Sequence, residues 1–291
     1  MDVSIIIVNY NTSEILKDCI KSIYEHTKNL DFEVIIVDNA SNDRTFTELK
    51  YLFPNITIIE LENNIGFGKA NNIGAKIAKG KYLFFLNSDT LLIENSILHL
   101  LNYSNRNESI LGALGCILID GKKDLTKCWG DFPDFYNSKL KWIFDKFSKI
   151  DDKKKEVIKT AEPFKVDYII GAALFLSRNL FEQLQGFAPE FFMYFEEVDL
   201  QKRISQLNKD RIILPFTKII HYEGGTVKGI SNANHRTRMM FIRSQNIYLK
   251  KHNIVSYHLV HILACLMAVK ILFNPKYTYK ENWSYFKLLL N

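Results

Sequence analysis

Apolar and polar residues come in alternating blocks over the first ninety positions, each about the length of one secondary-structure element. The run VSIIIVN (3–9) is short, apolar and β-branched, as a strand buried on both faces would be. Ile15, Leu16, Cys19, Ile20, Ile23 and Tyr24 then recur at helical spacing, with Thr12 or Ser13 placed to cap the helix. FEVIIVD (32–38) predicts a second strand, 43–53 a helix stopped by Pro54, and ITIIE (56–60) a third strand. Residues 68–80 read as a short helix closed by Gly80, and YLFFLN (82–87) as a fourth strand. This alternation predicts an α/β fold, a parallel sheet with helices on both faces.

Beyond residue 120 the pattern changes. Residues 120–165 are rich in lysine and aspartate, include DDKKKE (151–156) and show weak periodicity, which predicts a surface insertion. Strand character resumes in VDYIIGAALFLS (166–177), a helix is expected over EEVDLQKRISQL (196–207), and a strand over RIILPF (211–216). From 235 the chain is helical and basic, then aromatic and apolar. The expected division is a strand–helix part over 1–119, the insertion over 120–165, a second part over 166–234 and a helical extension over 235–291.

Composition narrows the function classes. With 291 residues, 47% hydrophobic and 24% charged, the chain can bury a core, and disorder is excluded. A net charge of +6 is too mild to mark a nucleic-acid binder, and no nucleic-acid partner is expected. Cys19, Cys116, Cys128 and Cys265 are scattered, which argues against a zinc cluster or disulfide scaffold and for a reducing compartment. The start, MDVSIIIVNYN, has no signal-peptide pattern, so a cytoplasmic location is expected. The most apolar stretch, 259–273, is interrupted by His261 and Lys270 and falls short of the ~20 residues a membrane span needs. It suits a helix lying on a membrane or packed on the protein.

Polar residues follow three strands: Asn9, Tyr10 and Asn11; Asp38, Asn39 and Ser41; Asn87, Ser88 and Asp89. In an open parallel sheet the carboxyl ends line one edge, where ligands bind. One such loop is simply a turn, but three in succession predict a site. The glycine-rich stretch NNIGFGKANNIG (63–74) lacks the GK[ST] ending of a Walker loop and follows the third strand, not the first, so it is not a dinucleotide fingerprint.

Taken in order, IIIVNYN, VDNAS, NNIGFGKANNIG, LNSDT and GAALFLSRNLFEQLQGFAPEFFMYFEEVDLQKR resemble glycosyltransferase family 2 over roughly residues 3–225. Within it the chain is similar to the rhamnosyltransferase-type enzymes of bacterial surface-polysaccharide assembly. The resemblance implies a GT-A fold, with a mostly parallel sheet flanked by helices. It implies a dTDP- or UDP-sugar donor, Mg²⁺ or Mn²⁺, and inverting transfer to a saccharide or lipid-linked glycan. It places Asp38 against the base, with Asn9, Tyr10, Asn11 and Asn39 around it. It sets the glycine stretch against the nucleotide, with Gly66 close to it and Asn71, then Asn63, as polar contacts. LNSDT occupies the family's DxD position. There Asp89 would ligate the metal, with Asn87, in place of the usual Asp, and Ser88 serving ribose or sugar. His221 is a second metal-ligand candidate, with a structural role equally open. In FEEVDL the family's base position falls on Glu197, a Glu replacing the more usual Asp, with Glu196 and Asp199 as fallbacks. Asp199 is also spaced to pair with Arg203, and first-turn acids offset the helix dipole.

The acceptor side is drawn from Gly171, Tyr194 and Phe195, although a Phe cluster equally reads as core. Residues 226–251 carry Lys228, Arg236, Arg238, Arg243, Lys250 and Lys251 with no acid, which predicts an anion contact for Arg236 or Arg238. For the tail from 252, membrane interface, cover over the catalytic domain and homodimer contact stand level. A silent sugar-nucleotide-binding module and a basic membrane or nucleic-acid adaptor are the rival functions.

Overall fold

The computed structural model describes residues 1–43, 46–134, 161–222 and 233–289. The first half follows the expected alternation: β1 (Val3–Asn9), α1 (Ser13–His26), β2 (Phe32–Asp38), α2 (Phe46–Leu52), β3 (Thr57–Glu60), α3 (Phe67–Ile77) and β4 (Tyr82–Asn87). These strands lie in the order β3-β2-β1-β4, all parallel. Every residue of β1 is buried, as its unbroken apolar run requires. The register sets Asn9 beside Asp38, Val8 beside Asn87, and Asp38 beside Glu60. The polar strand ends therefore share one rim.

The second half is mixed. It comprises β5 (Thr90–Leu92), α4 (Ser96–Asn107), β6 (Leu111–Ile119), β7 (Trp129–Gly130), β8 (Phe164–Lys165), β9 (Tyr168–Ile169), β10 (Ala173–Ser177), α5 (Arg178–Gln183), α6 (Glu196–Gln206) and β11 (Asp210–His221). The sheet continues β10-β6-β11-β5, with β10 antiparallel to both β4 and β6. Reversal brings the start of β10 to the rim, where Ala173 faces Leu86. The single strand expected over 166–177 is thus two, broken at Ile170–Ala172. Strand β11 runs past the expected end at 216. Its register shifts between Leu214 and Lys218, so Pro215 sits at an irregularity where a missing N–H is tolerated. Segment DDKKKE lies outside the described residues. Both described ends of the insertion are tied to the domain, β7 to β9 and β8 to β11.

Two expected helix caps have other roles. The Thr12 hydroxyl makes no capping bond and turns to Asn9 and Ser88. Helix α3 ends at Ile77, before Gly80. Gly80 instead lets the chain pass β1 closely: a Cβ there would stand 2.4 Å from the Ser4 amide nitrogen.

The extension folds as α7 (Ala233–His252), α8 (Ile254–Leu266), α9 (Ala268–Leu272) and α10 (Tyr279–Leu289). Tyr248 and Leu249 of α7 and Tyr257 and Val260 of α8 close a core with Phe191, Phe195 and Val198. One face of the tail therefore covers the second half of the domain. Among the described residues no helix is long and apolar enough to cross a membrane.

Candidate active site

At the rim, the Asn9 amide donates to Asp38 Oδ1 and Ser41 Oγ, each at 3.0 Å. Asn9 Oδ1 accepts from Thr12 Oγ1 at 2.7 Å, and that hydroxyl lies 2.9 Å from Ser88 Oγ. The Ser41 amide donates to Asp38 Oδ2 at 3.1 Å. Asp38 is fully buried. Asp38, which the sequence reading sets against the base, ties β1, β2 and their loops together through these bonds. Asn11 adopts a left-handed backbone, and its amide donates to Ser41 Oγ at 2.9 Å. Exposed Asn11 and half-buried Tyr10 are what this corner presents to solvent. Ser41 stood among the polar residues expected at the rim, whereas Thr12 was expected only as a helix cap. Ser41 was legible in VDNAS, whereas Thr12 was masked by its plausibility as a cap.

The glycine-rich stretch is held from inside. Asn39 Oδ1 accepts from Ile65 N at 2.9 Å, and its amide donates to Asn64 Oδ1 at 3.0 Å. Asn64 Oδ1 also accepts from Gly66 N at 3.0 Å. Asn63 is exposed, and it is its neighbour Asn64 that holds the loop. Asn71 is buried, with its amide on Phe67 O and its Oδ1 lacking a partner. Gly66 has φ +91° and its missing Cβ would lie 2.3 Å from Phe192 O, which itself accepts from Phe67 N. Gly66 and Gly68 thus serve contact with the 187–196 segment, and Gly74 packs on Ile6, Val37 and Ile35 of β1 and β2. Gly66→Ala combines a left-handed strain with a backbone clash and should cost about 3 kcal/mol. Urea unfolding checks this, with exposed Lys69→Ala expected to change little.

Asp89 and His221 meet across the β5–β11 pair, in which Thr90 faces His221. His221 Nε2 is 3.4 Å from Asp89 Oδ1, and both side chains are about nine-tenths buried. Asn87 Nδ2 lies 3.5 Å from the same nitrogen, while His221 Nδ1 is buried without a partner. A hard carboxylate oxygen and an imidazole converging on one point fit a divalent cation. Among the described residues Asp89 and His221 stand as a pair, with no group of three or more His, Cys, Asp or Glu around them. That suits a cation completed by diphosphate oxygens and water.

The carboxylates of α6 lie on the other side of the β4–β10 junction. Asn87 N donates to Ala172 O at 2.9 Å, and the Glu197 side chain lies 3.5 Å from the position of a Cβ on adjacent Gly171. Tyr194 and Phe195 both take left-handed backbone conformations just before the helix. Such residues cost roughly 1–3 kcal/mol each and concentrate at functional sites. Burial raises the pKa of Glu197 above its ordinary 4.5, opposed by N–H donation from its own backbone, Gly171 and Val198 and by the positive charge of Lys127. Burial and the neighbouring Glu197 push Glu196 well above the usual range. One oxygen of each glutamate is buried without a partner. Two adjoining carboxyls whose ionisation is disfavoured are the kind of perturbed pair that concentrates at functional sites.

A family model described as glycosyl transferase family 2 matches residues 4–199. The chain belongs to glycosyltransferase family 2. Stretches of this family-2 chain are similar to a poly(ribitol-phosphate) beta-glucosyltransferase of Bacillus spizizenii, 33% identical over 38% of the chain and 18% of the relative. They are also similar to the poly(ribitol-phosphate) beta-N-acetylglucosaminyltransferase TarP of Staphylococcus aureus, 36% identical over 41% of the chain and 38% of the relative. The chain thus spans well under half the length of these relatives. An N-acetylglucosaminyl-diphospho-decaprenol L-rhamnosyltransferase of Mycobacterium tuberculosis is 22% identical over 73% of the chain and 75% of the relative. Among solved structures, GalNAc-T7 with UDP, GalNAc and Mn²⁺ superposes with a TM-score of 0.64 at 16% identity, covering 99% of the chain and 55% of that structure. S. aureus TarS 1-349 superposes at 0.56 and 16% identity, covering 100% and 81%. The fold is GT-A, as the sequence resemblance implied.

Several expected contacts of the family-2 chain are used otherwise. Phe195 is core, edge-on to Phe241 and tilted against Tyr248. Tyr194 is half-buried and its hydroxyl bonds Thr237. Gly171 is shielded by Glu197 and gives it an N–H rather than open backbone for an acceptor. The Arg238 guanidinium lies 3.3 Å from the Tyr285 ring centroid and 4.4 Å from that of Tyr277, clamped within the extension and not on the rim. Arg236 is exposed on α7. Residues 223–232, which hold Lys228 and the glycines after His221, lie outside the described residues. Asp199 pairs with Arg203 as expected, at 2.8 Å, and also with Lys251 and His252.

Proposed function

We propose that this chain is an inverting, metal-dependent glycosyltransferase. It moves a sugar from a nucleotide-diphosphate donor to a saccharide or lipid-linked glycan acceptor in cell-surface polysaccharide synthesis, at the inner face of the membrane. One observation carries the reading. The Asp89–His221 pair and half-buried Glu197 adjoin the same Asn87–Ala172 junction. L-rhamnose from dTDP-rhamnose is the proposed sugar, supported by the rhamnosyltransferase relative that the chain matches over most of both lengths.

Tyr10, Asn11 and Asn39 border the nucleotide, with Asp38, Ser41 and Thr12 fixing them. Asn71 Oδ1 and Ser88 offer polar contacts deeper in the rim. Asp89 and His221 would hold Mg²⁺ or Mn²⁺, which supplies charge neutralisation for the departing diphosphate. Glu197 accepts the proton of the acceptor hydroxyl as its oxygen bonds to the anomeric carbon. The bond from that carbon to the phosphate oxygen breaks on the opposite face, and configuration inverts. Glu197 departs from the aspartate usual in the family, and its longer reach is offset by the Gly171 N–H that holds it.

A thermal-shift panel of UDP-, dTDP- and GDP-sugars with and without Mn²⁺ tests the reading. The true donor at a hundred times its Kd stabilises by about 2.7 kcal/mol through mass action. dTDP-rhamnose with Mn²⁺ is expected to give the largest shift. If no nucleotide sugar shifts the midpoint, the proposed function fails.

A further inference from the structure

Helices α8 and α9 are apolar on two faces, and only one is covered. Tyr257 and Val260 of α8 face the domain core. Val255, Leu259, Ile262, Leu266, Val269 and Phe273 are all exposed, and their spacing of four, three, four, three and four residues places them on one stripe. Exposure reaches 79% at Leu266, 73% at Val269 and 70% at Phe273. Helix α9 has no buried residue. The helical ladder continues through Met267, whose N–H donates to Leu263 O and whose carbonyl accepts from Ile271 N, so the stripe is continuous. Phe273 lies 6.4 Å from Tyr279, which leads into α10 with Trp283 exposed. A helix apolar all round is ordinarily buried, so this stripe is built to be covered.

Charge says by what. From residue 252 to the end, Lys270, Lys276, Lys280 and Lys287 face a single acid, Glu281. That acid is spent locally, accepting from both the Thr278 amide and hydroxyl at 2.8 Å. Lys270, about 100° round the helix from Val269, borders the stripe. A second copy would bring like charges together around its rim, whereas an anionic lipid surface would neutralise them. Exposed aromatics and lysines beside an apolar stripe are the composition of a helix lying in the headgroup region. Among the described residues no helix is long and apolar enough to cross a bilayer. We infer that the Val255–Phe273 stripe, with its lysine border, is a docking face that seats the continuous α8–α9 run in the plane of an anionic membrane. The inference deepens the lipid-linked acceptor reading, and rests on it only for why the site should face a membrane.

Flotation of the full chain with vesicles tests it, using phosphatidylcholine alone and phosphatidylcholine with about a third phosphatidylglycerol. Wild type is expected to float with the anionic vesicles and to be released by salt. Combined Lys270→Ala, Lys276→Ala and Lys280→Ala should lower that partitioning roughly 100-fold, at about 1 kcal/mol per lysine. Combined Leu266→Glu, Val269→Glu and Phe273→Glu should abolish it. These side chains are exposed, so the unfolding midpoint should hold; if it falls, Leu266→Glu alone is read instead. Donor turnover in solution is measured alongside. Absence of flotation with turnover intact overturns this inference alone, whereas absence of turnover with flotation intact overturns the enzymatic reading alone. Flotation unaffected by the glutamate variants also overturns it. So does a dimer in sedimentation that Leu266→Glu splits while no vesicle binds, which would make the stripe an interface between copies.

Discussion

Glu197→Gln is expected to lower kcat by roughly 10²–10⁴-fold while leaving donor affinity within about threefold. The amide keeps the shape of the side chain and an oxygen for the Gly171 N–H, but cannot take a proton. Glu196 provides the internal comparison. Burial and Glu197 push its carboxyl well above the usual range, so ionisation is disfavoured there and Glu196→Gln gives up less charge. Its effect should be far smaller. The pH profile carries an independent sign. Glu197 must be ionised to act, and burial holds its pKa above 4.5, so activity should rise with pH along a limb displaced upward from that value. Lys127→Ala removes a charge that favours the ionised form and should move the limb higher still. Single-turnover kinetics with the Mn²⁺ complex of the donor would show it. Near-normal turnover by Glu197→Gln would remove this residue from the mechanism.

Asp199→Ala is expected to destabilise the fold by about 3–5 kcal/mol. Asp199 is fully buried and receives Arg203 at 2.8 Å, His252 at 2.8 Å and Lys251 at 2.9 Å. Arg203 also donates to the carbonyls of Leu184 and Gly186, so one carboxylate joins α6, the loop after α5 and the end of α7. Removing it leaves Arg203, Lys251 and His252 without their shared acceptor, and Lys251 keeps a second acid, Glu190 at 2.7 Å. Burial opposes ionisation of Asp199, yet His252, Arg203 and Lys251 outweigh it and hold its pKa below 3.8. A depressed carboxylate contributes stability above its unfolded value that is lost as pH falls through the folded one. Wild type should therefore lose this contribution below pH 3.8, and the variant should have no such loss to make. Urea unfolding at neutral and acid pH reads both. A change under about 1 kcal/mol at neutral pH would show that the network is not a structural joint.

The first half of the fold was legible because its strands are buried on both faces and so read as unbroken apolar runs. The register that unites Asn9, Asp38 and Asn87 follows from parallel pairing of such strands. From Thr90 to Ile119 no element was assigned, because short β5 lacks a pattern of its own and its pairing with β11 is 130 residues distant. The antiparallel turn of β10 was hidden for a similar reason: VDYIIGAALFLS is apolar throughout, and only packing breaks it at Gly171. At the site, residue types were readable but their commitments were not. Asp38 and Asn9 look like ligand groups in sequence, and in space they spend their polarity on each other and on Ser41. Arg238 looked free in an acid-poor stretch, yet its partners are the rings of Tyr277 and Tyr285. Glu197 and Asp89 were singled out by an ordered set of motifs, not by one motif.

Binding of a nucleoside diphosphate as a function of Mn²⁺ tests the central claim most directly, by isothermal titration of dTDP and UDP into wild type, Asp89→Ala and His221→Ala. The account predicts that Mn²⁺ tightens binding to the wild type, that Asp89→Ala removes this enhancement, and that His221→Ala weakens it. Nucleotide binding indifferent to Mn²⁺, or an enhancement that survives loss of both side chains, would contradict it.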